Sequence, residues 1–494
     1  MNYKRVAGVI FLIVILLSFR PISLRAVNAA GPEAGINNEI IRETAGQALT
    51  SPDQTGRPHP QASLVEAFSE TAKLGASDSQ AYDYFGISVA LSGDTLVVGA
   101  YSEDGGPGDP LPDSGAVYVF ERDLGGPANW GQAARLTASD TQSGDGFGAS
   151  VAIDGDTLLV AAPGEDGGPG DPLPGAGAIY IFERNLGGPG NWSETKKLMA
   201  ADPQEGAVFG TSVAISGDTL VVGAYGEEST PMNYTGAAYI FERDQGGPEN
   251  WGEVKKLLAS DGQDNDWFGV SVDISGDTVV VGAWLSHYPL GNGAAYIFER
   301  NMGGLGNWGE VVKLGASDAQ ASDLFGVSVN IDGDTVVVGA EEEDGGPGNP
   351  LPETGAAYIF ERSLGWTETA KLTASDAQAA DHFGWSVTIS GDYLAVGAIG
   401  EDGGPGDPLP LAGTVYVFES GFSGSSNWDE VARLSASDVQ ALDLFGYSVA
   451  ISGYTLAIGA MTEDGGPGDP LPNAGAAYVF QNIQRLYIPF ISRK

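Results

Sequence analysis

The chain has 494 residues, 74 of them glycine, with 42% hydrophobic and only 18% charged residues. Its formal net charge of −42 repels phosphate backbones and anionic membrane surfaces, which argues against nucleic-acid and anionic-lipid partners. With no cysteine, disulfide scaffolds, thiolate metal sites and cysteine nucleophiles are excluded, and so much glycine favours short strands and tight turns over long helices.

At the N-terminus Lys4 and Arg5 precede an apolar run at residues 6–19, followed by the small-residue stretch Val27-Asn28-Ala29-Ala30. That order predicts a secretory signal peptide over residues 1–29, cut after Ala29. The alternative, a retained anchor, is disfavoured because a membrane helix needs about 20 apolar residues. Residues 30–63, with scattered Pro, Gly, Asn and Gln, read as a flexible leader. No later segment has the apolar length to span a bilayer.

From residue 64 the chain is periodic. A Phe-Gly pair recurs at Phe85, Phe147, Phe209, Phe268, Phe325, Phe383 and Phe445, a spacing of roughly 60 residues. In the first unit four short segments follow, at 88–91, 95–100, 115–120 and 130–136, rich in Val, Ile, Tyr and Phe and bounded by turn residues, which predicts strands. The first two are joined by the hairpin turn Ser92-Gly93-Asp94. The second is apolar throughout, as a strand buried on both faces must be. The fourth is the most polar, as Trp192-Ser193-Glu194-Thr195-Lys196-Lys197-Leu198 shows, and suits an outer edge. Four-stranded units that bury two faces must pack on copies of themselves, and radial closure achieves this. An orphan outer strand at 66–74 precedes the first Phe-Gly pair, while the last unit stops after three strands at Phe480. The expected fold is therefore all-β: a seven-bladed β-propeller of four-stranded antiparallel blades over residues 64–483, closed by the N-terminal strand completing the last blade. Residues 484–494 form a tail, apolar with basic residues at its end, for which sorting and rim packing are equal readings.

The run Phe445-Gly446-Tyr447-Ser448-Val449-Ala450-Ile451, followed by Leu456-Ala457-Ile458-Gly459-Ala460, resembles the FG-GAP repeat of integrin α-chain heads and many secreted bacterial proteins. The resemblance covers all seven units. It implies extracellular binding, often with calcium held in an acidic loop between the first two strands. Here that connection is only Ser92-Gly93-Asp94 or its equivalents, too short to wrap six to eight oxygens around an ion. The family's calcium sites are therefore not carried over, and the chain looks like a shorter bacterial variant.

Strands alternate direction within a blade, so the loops from strand two to three share a face with those from strand four to the next blade. Both types are acidic: Glu103-Asp104-Gly105-Gly106-Pro107-Gly108-Asp109 recurs at Glu165, Glu343, Glu401 and Glu463, and Asp78-Ser79-Gln80-Ala81-Tyr82-Asp83 has a counterpart before each Phe-Gly pair. Neither type contains Lys or Arg. An acidic face of this kind attracts divalent cations and basic ligands, while the plainer reading is local capping and solubility. Asp261, Asp264 and Asp266 are the candidate metal ligands, with Ca2+ the candidate ion. Blades three and four depart from the loop pattern, and Glu227, Glu228, Trp284, His287 and Tyr288 are the candidate ligand-binding residues, as exposed aromatics beside acids.

Catalytic motifs are missing from the sequence. His59, His287 and His382 each stand alone, and no metal-protease, nucleophile-elbow or phosphate-cradle pattern occurs. The expected function is a secreted or cell-surface, monomeric, non-catalytic binding or adhesion propeller for an extracellular protein or glycan. The alternative is a carbohydrate-active or hydrolytic propeller with a central-channel site, which a deep pocket holding one non-repeating polar cluster would favour.

Overall fold

The computed structural model describes residues 68–482, apart from short loop stretches at 107–109, 168–171, 231–232, 248–249, 287–290, 347–350, 404–407, 422–426 and 466–470. The expected signal peptide, leader and tail lie outside the described residues, as do His59, His287 and Tyr288.

Seven four-stranded antiparallel sheets make up the fold, with an added two-stranded ribbon in blade three. Blade one consists of Phe85–Ser92, Thr95–Ala100, Ala116–Arg122 and Trp130–Leu136, hydrogen-bonded in that order. The five blades after it repeat this order. Blade seven supplies Phe445–Ser452, Thr455–Ala460 and Ala476–Asn482 itself, and its fourth strand is Phe68–Leu74. That strand pairs antiparallel with Ala476–Asn482, from Phe68 opposite Asn482 to Leu74 opposite Ala477. The ring is thus closed by the strand expected to close it.

The same contacts recur across the closure as elsewhere. Ser88 Oγ donates to the Gly148 carbonyl at 2.8 Å, and Ser448 Oγ donates to the Gly86 carbonyl at 2.8 Å. On the opposite face a residue ending the first strand accepts the amide of the next blade's turn glycine. Ser92 accepts from Gly155, Asp154 from Gly217, and Ser452 from Gly93, which carries the belt from blade seven to blade one. No helix among the described residues is long and apolar enough to cross a membrane.

Packing between blades explains the repeated residue types. Every residue of Thr95–Ala100 is buried, as are its counterparts Thr157–Ala162 and Thr219–Ala224. Phe85 meets Tyr118 and Phe120 edge-on, with centroids 5.5 and 6.0 Å apart, and an equivalent trio occurs in each of the seven blades. Burying each such ring contributes on the order of 2 kcal/mol. Gly115, at φ +80°, sits so close to the next blade that an added Cβ would lie 2.1 Å from the Phe147 carbonyl oxygen. Glycine is required there by both backbone conformation and space.

Candidate functional site

The acids of the loop face are first of all part of the frame. In each blade the tyrosine of the third strand donates its hydroxyl to an aspartate of the incoming loop, Tyr118 to Asp78 at 2.8 Å and Tyr358 to Asp318 at 2.8 Å. A cation on the fourth strand reaches over the loop to the same aspartate and, in most blades, to a buried glutamate. Lys371 Nζ lies 2.7 Å from Asp318 and 2.8 Å from Glu343, and Lys197 lies 2.8 Å from both Asp140 and Glu165. Glu103, Glu165, Glu343, Glu401 and Glu463 also fold their loops, each accepting the amide of the glycine two residues on. Burial alone would raise Asp140 and Asp318, but the neighbouring ammonium and phenol hold both below the ordinary carboxylate range.

In six of the seven incoming loops a second aspartate is buried, blade three carrying Ala207 there instead. Asp83 and Asp443 accept the Gln80 and Gln440 amides at 2.7 Å, and burial pushes both up to about 7, aided by Glu103 and Glu463 respectively. The loop acids read from sequence as an open negative face are therefore partly turned inward.

The residues singled out from sequence fall into this frame to different degrees. Glu227 is blade three's copy of the buried glutamate: it pairs with Lys256 and accepts from Gln204. Glu228 begins the short ribbon Glu228–Thr230, its amide donating to Gln204. Asp261 is held by Lys313 at 2.7 Å and by Tyr296 at 2.8 Å, and Asp266 is buried and accepts the Gln263 amide. Asp264 is exposed. Among the described residues no three acidic or histidine side chains are grouped to hold a metal ion. Trp284, expected on a loop surface, is buried at 6% exposure, its ring 5.7 Å from Trp267.

Trp284 belongs to a set that the repeat pattern conceals. Three positions per blade lie at the loop-face ends of the first two strands: the residue before each Phe-Gly pair, the residue after it, and the residue after the second strand. They differ from blade to blade where the blade bodies are nearly identical, and they are rich in aromatics. Tyr84 lies 5.7 Å from Tyr101, Tyr225 stacks on Trp267 at 5.0 Å, and Trp385 lies 5.3 Å from Tyr447. Burial raises the Tyr447 phenol, and Tyr101 of blade one and Glu341 of blade five raise it further. A blade-seven residue acted on from both directions in this way stands near the axis.

Glu341 is the one carboxylate at its ring position, where the other blades carry Tyr101, Pro163, Tyr225, Trp284, Ile399 and Met461. It is 1% exposed, and neither carboxylate oxygen has a hydrogen-bond partner among the described residues. His382 Nδ1 of the next blade lies 3.7 Å from its Oε2. Burial lowers His382 to about 4, which leaves its imidazole neutral near pH 7, and burial, with Glu342 and Glu353 nearby, raises Glu341 well above the ordinary carboxylate range. His382, which stands alone in the sequence, is buried. A buried carboxyl beside His382 and near the Tyr447 ring is suited to accept a cation, whose charge would pair with the carboxylate.

At the other end the channel opens into a cavity of about 490 Å³, walled by the first strands of all seven blades. One wall position is alanine in four blades, Ala90, Ala152, Ala214 and Ala450, and Asp273, Asn330 and Thr388 in blades four to six. Asp273 Oδ2 accepts both the Asn330 side-chain amide and the Ile331 backbone amide at 2.7 Å, and Asn330 Oδ1 accepts the Ile389 amide at 2.8 Å.

The FG-GAP repeat model matches seven times, at residues 68–120, 130–182, 192–241, 251–298, 308–360, 366–418 and 428–480. The chain belongs to the FG-GAP repeat family. Each match starts on an outer strand and continues into the following blade, so the FG-GAP unit in sequence is offset by one strand from the blade in space. No curated protein matches the chain. FG-GAP propellers are scaffolds of the binding and adhesion type.

Proposed function

We propose that the chain is a secreted or cell-surface, non-catalytic FG-GAP binding propeller whose loop-face channel mouth receives a basic side chain of an extracellular protein partner. The observation that carries this reading is Glu341, a buried carboxyl without a hydrogen-bond partner among the described residues, set among aromatics that break the sevenfold repeat. The cost of burying an uncompensated carboxylate is met when a guanidinium or ammonium ion enters beside it. Trp385, Tyr447 and Tyr101 then supply apolar and cation–π contact. The repeated loop acids around the mouth, those left outside the ion-paired frame, bias approach toward basic partners.

Catalysis is the weaker reading. The channel cavity does hold a non-repeating polar cluster, yet a glycosidase pair needs two carboxylates free for chemistry. Asp273 is the carboxylate of that cluster, and the nearby Asp154 and Asp332 are engaged with the Gly217 and Gly391 amides.

The test is a peptide array with matched basic, neutral and acidic sequences, probed with the purified chain and with E341Q. Basic peptides should be retained preferentially, and E341Q should weaken them at least tenfold. Equal retention of acidic peptides, or E341Q binding as well as the parent, would refute the assignment.

A further inference from the structure

The cavity at the opposite end of the channel has two unlike walls. Blades seven, one, two and three present alanine at the position where blades four, five and six present Asp273, Asn330 and Thr388. The lining includes no Lys, Arg or His.

Blade-to-blade ties alone do not account for Asp273. The belt of Ser and Asp side chains accepting turn-glycine amides already joins neighbouring first strands. Four blades pack with alanine at this position, and Asn330 ties blade five to blade six through its neutral amide oxygen. An asparagine at 273 would accept the Ile331 amide equally well. What asparagine lacks is the capacity for charge: burial raises Asp273 to about 7, the wall holds no Lys, Arg or His, and a cation entering from the channel would favour its ionised form.

We propose that this cavity is a second, separate binding site, for a small organic ammonium compound. The ammonium group bonds to Asp273 and to the Thr388 hydroxyl, and the carbon skeleton lies against the alanine wall. The cavity is of small-molecule size, and although its exposed surface is mostly polar, alanine methyls line one side while Asp273, Asn330 and Thr388 converge on the other. A metal ion fits less well, because calcium requires six to eight oxygens and the three aspartates of the lining, Asp154, Asp273 and Asp332, each already accept a backbone amide.

The experiment is a thermal-shift and calorimetric titration of the whole chain with ethanolamine, putrescine and glucosamine, against glucose as the neutral counterpart and calcium chloride. At least one amine should raise the melting midpoint and give a saturable isotherm, because a ligand of the native state stabilises it by mass action. Glucose should not. D273N should weaken the amine at least tenfold while melting cooperatively without ligand. T388V, which keeps side-chain shape, should weaken it several-fold and serves as the second variant if D273N folds poorly. No response to any of the three amines, unchanged binding in both variants, or a response to calcium alone would overturn the proposal. None of these outcomes bears on the loop-face mouth, whose test uses Glu341.

Discussion

The blade flanks and the channel axis obey opposite rules. On the flanks seven copies meet the same neighbour in the same way, so Phe, Tyr, the strand-four cation and the loop glutamate recur with little change. At the axis all seven copies converge on one space, and a ligand there meets the whole ring at once. Sevenfold identity is no longer demanded by packing, and there the chain places Trp385, Tyr447, Glu341 and His382 at one end and Asp273, Asn330 and Thr388 at the other. The difference teaches that in a repeat protein of this kind, function is to be sought where the repeat fails.

The comparison can be broken first on the flanks. Lys371→Met keeps the aliphatic stem but leaves Glu343 buried without its partner, and should cost about 3 kcal/mol in denaturant unfolding. Lys197→Met, its equivalent in blade two, should cost nearly the same. Widely different values would show that the blades are not energetically alike.

A smaller effect is expected from pH. Asp83 and Asp443 are raised to about 7, and Asp145 and Asp323 to about 6, in each case chiefly by burial. Between the unfolded value near 4 and these folded values the native state holds more protons than the unfolded chain, so stability falls as pH rises through that interval. Asp140, Asp261, Asp318 and Asp438 are lowered by their lysine partners against the opposing effect of burial, and their contribution is lost as pH falls below about 4. Melting midpoints measured by circular dichroism should therefore peak near pH 5 and decline toward pH 8. A profile that rises to pH 8 would mean that the inward-turned aspartates are not buried as described.

Much of the frame was legible in the sequence because it is local and periodic. The apolar second strand, the hairpin glycines and the orphan strand at the N-terminal end each state their place without reference to distant residues. The site was harder to read. Glu341 and His382 lie 41 positions apart and meet only because adjacent blades converge, and Asp273, Asn330 and Thr388 are separated by about one repeat each. The signal that could have found them was the column of alanines that Asp273, Asn330 and Thr388 interrupt. Loop composition pointed to Asp261 and Glu227, whose charges the structure gives to Lys313 and Lys256. It also pointed to Trp284, which does stand at the mouth, though buried.

The nine tryptophans offer the most direct test, since Trp267, Trp284 and Trp385 stand at the loop-face mouth and Trp192 lies on the outer rim beneath Arg184. Intrinsic fluorescence should be followed while a basic peptide selected from the array is titrated into the parent chain, W385F and W192F. The account predicts a saturable change in the parent and in W192F that is largely lost in W385F; a response that survives in W385F and disappears in W192F would place the ligand on the blade rim and contradict it.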